Sequence, residues 1–274
     1  MSFTQSLAAA WQRNQSLVCV GLDPDLARLP AHLPRSNAGV AEFCKRIVDA
    51  THDLVCAYKP QIAYFAALAA EQELKDLIDY IHARYPGVPV ILDAKRGDIG
   101  STAEMYAAEA FDRYSADAVT VNPYLGLDSV EPFLRRKDRG TILLCKTSNA
   151  GSADLQELKV GDTPLYEVLA AQIASRWNAN GNCLLVVGAT WPTQLARIRK
   201  IIGDMPVLVP GVGAQGGDVE QVISAGCTAG GTGLIISSSR AILYASNGRD
   251  FADAARSATV KLRDQVNRCR GAVL

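Results

Sequence analysis

The chain is written as short apolar runs alternating with longer segments of helical pattern, and this alternation repeats about eight times over 274 residues. The runs cover 17–22, 54–58, 88–92, 117–121, 141–145, 183–187, 207–209 and 234–236. They lack an apolar–polar alternation, which is the pattern of strands covered on both faces. Strands that alternate with helices make a parallel sheet, and eight strand–helix units is the count that closes a barrel. The predicted fold class is therefore α/β, a (β/α)8 TIM barrel, with a doubly wound open sheet as the competing arrangement. No break in composition marks a second domain, so 1–274 is predicted as one domain, with a short helix at 2–14 before the first strand. Helices are expected at 38–51, from Pro60 to about 84, and at 99–114, 127–135, 164–177, 192–202, 219–224 and 251–268, with a long connection at 150–162.

Charge and composition exclude several function classes. Lys plus Arg and Asp plus Glu both number 28, so no broad basic field draws nucleic acid or anionic lipid. No apolar run approaches the roughly 18 residues of a membrane span. The 7 Cys are odd in number and not closely paired, and several sit inside apolar runs, as small buried hydrophobes do. A disulfide framework or zinc site is not expected, and a reducing, cytoplasmic compartment fits. His32, His52 and His82 lie away from the strand ends, and no metal-ligand cluster appears.

A barrel collects its functional groups at the C-terminal ends of its strands. Asp23, Lys59, Asp93 with Lys95, Asn122, Ser148, Gln215 and Arg240 all stand at or just past such ends. The densest stretch is Ile91-Leu-Asp-Ala-Lys-Arg-Gly-Asp-Ile-Gly-Ser-Thr102. Two residues apart on a strand, Asp93 and Lys95 are predicted to face the same side. Gly97 permits a tight turn, and Asp98 falls at the start of the next helix. One such ion pair would be a rim bridge that fixes loops. Two Lys and two Asp in one bowl with an anion-binding loop point to function.

Flanking carboxylates favour the ammonium form of Lys95. That suits a proton donor better than a Schiff-base amine, which must be neutral to attack. A fixed ammonium beside a fixed carboxylate fits a reaction in which negative charge leaves one atom and appears on its neighbour, as in decarboxylation. One charge pair at about 4 Å and an effective dielectric near 20 contributes about 4 kcal/mol, against the roughly 8–23 kcal/mol by which enzymes lower barriers. A preorganised network and remote binding energy must supply the rest. The glycine-rich turn from Gly211 to Gly217, which includes Gly213, Gln215 and Gly216, follows the seventh strand, and Arg240 follows the eighth. Barrel phosphate sites commonly use those two loops. Asp23 can accept from ribose hydroxyls and Ser148 can bond a base edge, although a turn Asp and a capping Ser would look the same.

These motifs together resemble the orotidine 5′-phosphate decarboxylase family. Asp93-Ala-Lys-Arg-Gly-Asp98-Ile-Gly-Ser-Thr102 is similar to its signature, and Gly21-Leu-Asp23, Tyr58-Lys59-Pro, Asn122-Pro-Tyr-Leu-Gly126, Lys146-Thr-Ser-Asn149 and the Gln-containing glycine loop also fit. The Asn122 segment and the long connection resemble the longer bacterial subfamily. The resemblance implies cofactor-free conversion of orotidine 5′-phosphate to UMP in a homodimer with shared sites. It assigns Lys95 as proton donor and completes the network with Lys59 and Asp93, with Asp98 and Thr102 coming from the partner. It also implies Asp23 and Lys59 at the ribose, Ser148 at the pyrimidine, and Gln215 with Arg240 at the phosphate. Ser239 and Ala150 depart from the Gly and Pro that many relatives carry. Rival readings are a magnesium-dependent sugar-phosphate relative, a Schiff-base aldolase and a nucleotide-binding barrel without catalysis.

Overall fold

The computed structural model describes residues 1–212 and 218–271. Eight parallel strands form the barrel wall: β1 Val18–Leu22, β2 Ala57–Pro60, β3 Ile91–Arg96, β4 Ala118–Val121, β5 Gly140–Lys146, β6 Cys183–Val187, β7 Val207–Pro210 and β8 Leu234–Ser238. Their order is β2-β1-β8-β7-β6-β5-β4-β3, and the two end strands meet through the isolated bridges Tyr58↔Val90 and Gln61↔Asp93. The barrel is therefore nearly closed, as the eightfold alternation predicted, and its weakest seam runs between β2 and β3.

The N-terminal helix, Phe3–Arg13, starts with a capping box in which Ser2 and Gln5 satisfy each other's backbone N–H groups. It buries Phe3, Leu7, Ala10 and Trp11. Phe3 packs over Gly140, the first residue of β5, so this helix covers the N-terminal end of the barrel and leaves the other rim open. The strand interiors are buried on both faces, and one continuous apolar cluster joins them to the helices around them.

Several predicted elements differ in detail. β2 and β3 start later than the apolar runs and extend through Lys59 and Lys95. Pro60 is the last residue of β2, not the first turn of a helix. Tyr58 donates to Pro89 on the seam side, so by alternation the N of Pro60 faces the same sparse seam, where its missing N–H forfeits no ladder bond. The single helix expected from Pro60 to about 84 is two helices, Ile62–Ala66 and Glu71–Arg84. Ala69 between them is left-handed with φ +51°, and Asn37 donates to the carbonyls of Leu68 and Ala69. The long connection holds local structure: a short helix at Ala153–Gln156 and a two-stranded ribbon of Lys159–Val160 with Thr163–Pro164.

Candidate active site

The open rim carries a cavity of about 500 Å³. Six predicted residues line it: Asp23, Lys59, Asp93, Lys95, Ser148 and Arg240. They come from the ends of β1, β2, β3, β5 and β8. Leu144 and Val186, from β5 and β6, add an apolar part to the wall.

At the centre, Asp93 bridges two lysines. Lys59 Nζ donates to Asp93 Oδ2 at 2.7 Å, and Lys95 Nζ donates to Oδ1 at 2.6 Å. Thr120 Oγ1 also donates to Oδ1, at 2.9 Å. Burial alone would push the Asp93 carboxyl up; the ammonium groups of Lys59 and Lys95 outweigh it and hold the carboxyl well below the usual carboxylate range. Lys59 shows the mirror balance. Burial disfavours its charge, and Asp93 with Asp23 overcomes that and raises its pKa above the ordinary lysine value. Both lysines line the cavity, and with a side chain 46 % exposed against 7 % for Lys59, Lys95 is the more open of the two.

The pair Asp93–Lys95 does not form by plain strand alternation. Lys95 has φ +48°, a left-handed conformation that costs a non-glycine residue about 1–2 kcal/mol. β3 takes the steps from Leu92 to Arg96 where β4 takes only Val119 to Val121, so β3 bulges at 93–95. Gly97, expected to make the turn, is not left-handed. Its value is closeness, since a Cβ there would stand 3.2 Å from Asn122 Cβ. The helix that follows starts at Gly100, not at Asp98. Asp98 Oδ1 accepts from the N–H of Ile99. Asp98 and Thr102 do not line the cavity of their own chain. Arg96, the remaining charge of the motif, is structural: it forms a two-bond pair with Glu109 that ties the end of β3 to its helix.

Sequence reasoning passed over several contributors. Thr120 lies in an apolar run and gave no signal. Lys146 is fully buried, donates to Ser152 at 2.8 Å, lies 3.0 Å from a Glu157 carboxylate oxygen, and sits 4.3 Å from the centre of the Trp191 ring. With Thr147, which exchanges two hydrogen bonds with Gln156, it pins the long connection beside Ser148. Gly188 fits under Ser148 because a Cβ there would stand 2.6 Å from Ser148 Cα. Asp23 Oδ1 and Ser239 Oγ are buried with no hydrogen-bond partner among the described residues. Arg240 is exposed and makes no ion pair among the described residues. Gly213, Gln215 and Gly216 lie outside the described residues. Among the described residues, no group of three or more His, Cys, Asp or Glu is placed to hold a metal ion, and no helix is long and apolar enough to cross a membrane.

A nearly closed eight-stranded parallel barrel with a charged bowl at its strand C-termini is the layout of a barrel enzyme. The family profile described as "Orotidine 5'-phosphate decarboxylase / HUMPS family" matches residues 16–255, and the chain belongs to that family. An orotidine 5′-phosphate decarboxylase of Ralstonia pickettii is 62 % identical over 270 residues, spanning 98 % of this chain and 100 % of that protein. One of Cellvibrio japonicus is 63 % identical over 273 residues, with the same coverage. Among solved structures, the Leishmania donovani OMP decarboxylase superposes with a TM-score of 0.87 at 41 % identity, covering 99 % of each chain.

Proposed function

We propose that the row Lys59–Asp93–Lys95 performs the chemistry, with Lys95 as the acid. The reaction is decarboxylation of orotidine 5′-phosphate to UMP and carbon dioxide, a carboxy-lyase step and the last of UMP biosynthesis. The observation that carries the mechanism is the bridged Asp93, with an ammonium on each oxygen, facing the cavity. Asp93 stays ionised, and its oxygens are already engaged, so it offers a neighbouring substrate carboxylate only repulsion. When the bond to carbon dioxide breaks, its electron pair stays on C6 of the pyrimidine. Lys95 stabilises that carbanion and gives it a proton, then regains one from solvent. The bowl is built before substrate arrives, which is where electrostatic catalysis gains most.

Binding energy from the rest of the nucleotide supplies what one charge pair cannot. Asp23 and Lys59 hold the ribose; the unpartnered Asp23 Oδ1 supports this, since buried acceptors are rarely left unpaired. Ser148 bonds the pyrimidine. Arg240 takes the phosphate, together with Gln215 and the backbone of Gly213 and Gly216. Support for Arg240 is its place at the end of β8 on the cavity rim. The reading calls for no metal or cofactor.

The active form is a homodimer with shared sites, in which Asp98 and Thr102 complete the partner's bowl. Ile99 and Met105 support this: Ile99, just before the helix that carries Thr102, and Met105, three positions after Thr102 on the same helix face, are both exposed apolar residues. Residues 1–274 form one domain, as the continuous core supports. A cytoplasmic location is supported by seven unpaired thiols, five of them buried as core residues.

The test is loss of orotidine 5′-phosphate ultraviolet absorbance with purified protein in chelator. Full activity is expected. Activity that depends on added magnesium would instead favour a metal-dependent sugar-phosphate relative.

A further inference from the structure

We infer that Thr120 is a positioning residue for the reaction, fixing both Asp93 and the backbone of Lys95 through one hydroxyl; the inference rests on Lys95 being the acid. The bulge at 93–95 takes β3 out of the regular ladder with β4. The N–H groups of Ala94 and Lys95 are thereby left without strand partners. Thr120 Oγ1 accepts from both, at 3.0 and 2.9 Å. A hydroxyl has one proton and two acceptor positions. With both acceptor positions filled by N–H donors, its own proton must point elsewhere, and it goes to Asp93 Oδ1 at 2.9 Å. Thr120 itself is buried. Every bonding position of one side chain is therefore spent on the motif that carries the chemistry.

The consequence is geometric. Lys95 sits at φ +48°, a conformation that persists only where its surroundings impose it. The bond to its N–H imposes it, and the same oxygen orients the carboxylate that receives Lys95 Nζ. Thr120 makes no hydrogen bond to Nζ of Lys95 and is not among the residues that line the cavity. Its loss should move the acid without removing it, and a displacement of about 1 Å can cost about 100-fold in rate.

The experiment compares Thr120→Val, Thr120→Ala and Thr120→Ser with wild type and with Lys95→Ala, reading kcat, KM, UMP affinity and circular dichroism. Ser keeps the hydroxyl and should hold kcat within about threefold. Val and Ala remove it and should lower kcat about 10–100-fold, with KM and UMP affinity changed less than about threefold. A loss in Ser and Ala with Val unimpaired would mean that the methyl group, as packing, is what counts, and would overturn the inference. So would unchanged kcat in Val and Ala. Should neither of those variants fold, Thr120→Ser decides: retained kcat and KM support the hydroxyl, and a tenfold loss in a folded Ser variant rejects it. If Lys95→Ala keeps its turnover, the assignment of the acid fails whatever Thr120 does. If Lys95→Ala is inactive and Thr120→Val is not impaired, the Thr120 inference alone fails.

Discussion

The residue that decides most is Asp93, because it holds two ammonium groups while nearly excluded from water. Removing one partner of such a buried pair costs about 3–5 kcal/mol, since the remaining charge stays buried and uncompensated. Its pH dependence follows from the signs of the shifts. The folded Asp93 carboxyl lies below its unfolded value, near about 3.9, so its contribution is complete above that value and lost as pH falls through the depressed one. The folded Lys59 lies above its unfolded value, near about 10.4, so its contribution is complete below that and lost as pH rises through the raised one. Urea unfolding should show wild type more stable than Asp93→Asn by a constant margin from about pH 5 to 9, shrinking below about pH 4. A margin that persists unchanged far into acid would count against the pairing. Arg240 makes a separate prediction. Charge-assisted bonds to phosphate are worth about 1.5–3 kcal/mol, so Arg240→Ala should raise KM for the nucleotide about 10–100-fold. The affinity of a phosphate-free nucleoside analogue should barely move; equal weakening of both would remove Arg240 from the phosphate.

Among the elements, the legible part was the rhythm of strands and the polar residues at their ends, because burial on both faces writes a strand as an unbroken apolar run. Asp23, Lys59, Asp93, Lys95, Ser148 and Arg240 could be placed on one rim for that reason, and they do share one cavity. What could not be seen was how β3 brings Asp93 and Lys95 together. Periodicity assumes a regular pleat, while the chain uses a bulge and a left-handed lysine, features set by β4 and invisible within the motif. Thr120 was missed for the same cause, since one Thr between Val119 and Val121 looks like any β-branched strand residue. Pro60 misled because it suits a helix start and a sheet seam equally well. Lys146 was visible only as part of a motif; its burial depends on Ser152, Glu157 and Trp191 arriving from elsewhere in the chain. The ion pair Lys59–Asp93 spans β2 and β3, the seam that few backbone bonds close, so the proposed catalysis and barrel closure draw on the same contact.

At the scale of the whole molecule, one chain leaves two predicted site residues unused. Asp98 and Thr102 stand outside the cavity of their own chain, on a segment that also carries the exposed Ile99 and Met105. A two-fold dimer can swing that segment into the partner's bowl, because a symmetric interface repeats every contact. Mixing Lys95→Ala with Asp98→Ala subunits is then diagnostic. Each variant alone should be nearly inactive, whereas a randomised mixture should recover about a quarter of wild-type activity per site, since each mixed dimer holds one intact bowl. No recovery in a mixture shown to exchange subunits would confine each site to one chain. The barrel carries a continuous apolar core within one chain. The proposed chemistry, however, needs a row of charges set before the substrate enters, with one proton to give. The most direct measurement is turnover of orotidine 5′-phosphate by folded Lys95→Ala, followed by absorbance in chelator beside wild type. Loss of about 10²–10⁴-fold or more in kcat, with the circular dichroism spectrum intact, is predicted; a folded variant that keeps more than about a tenth of wild-type turnover would contradict Lys95 as the acid.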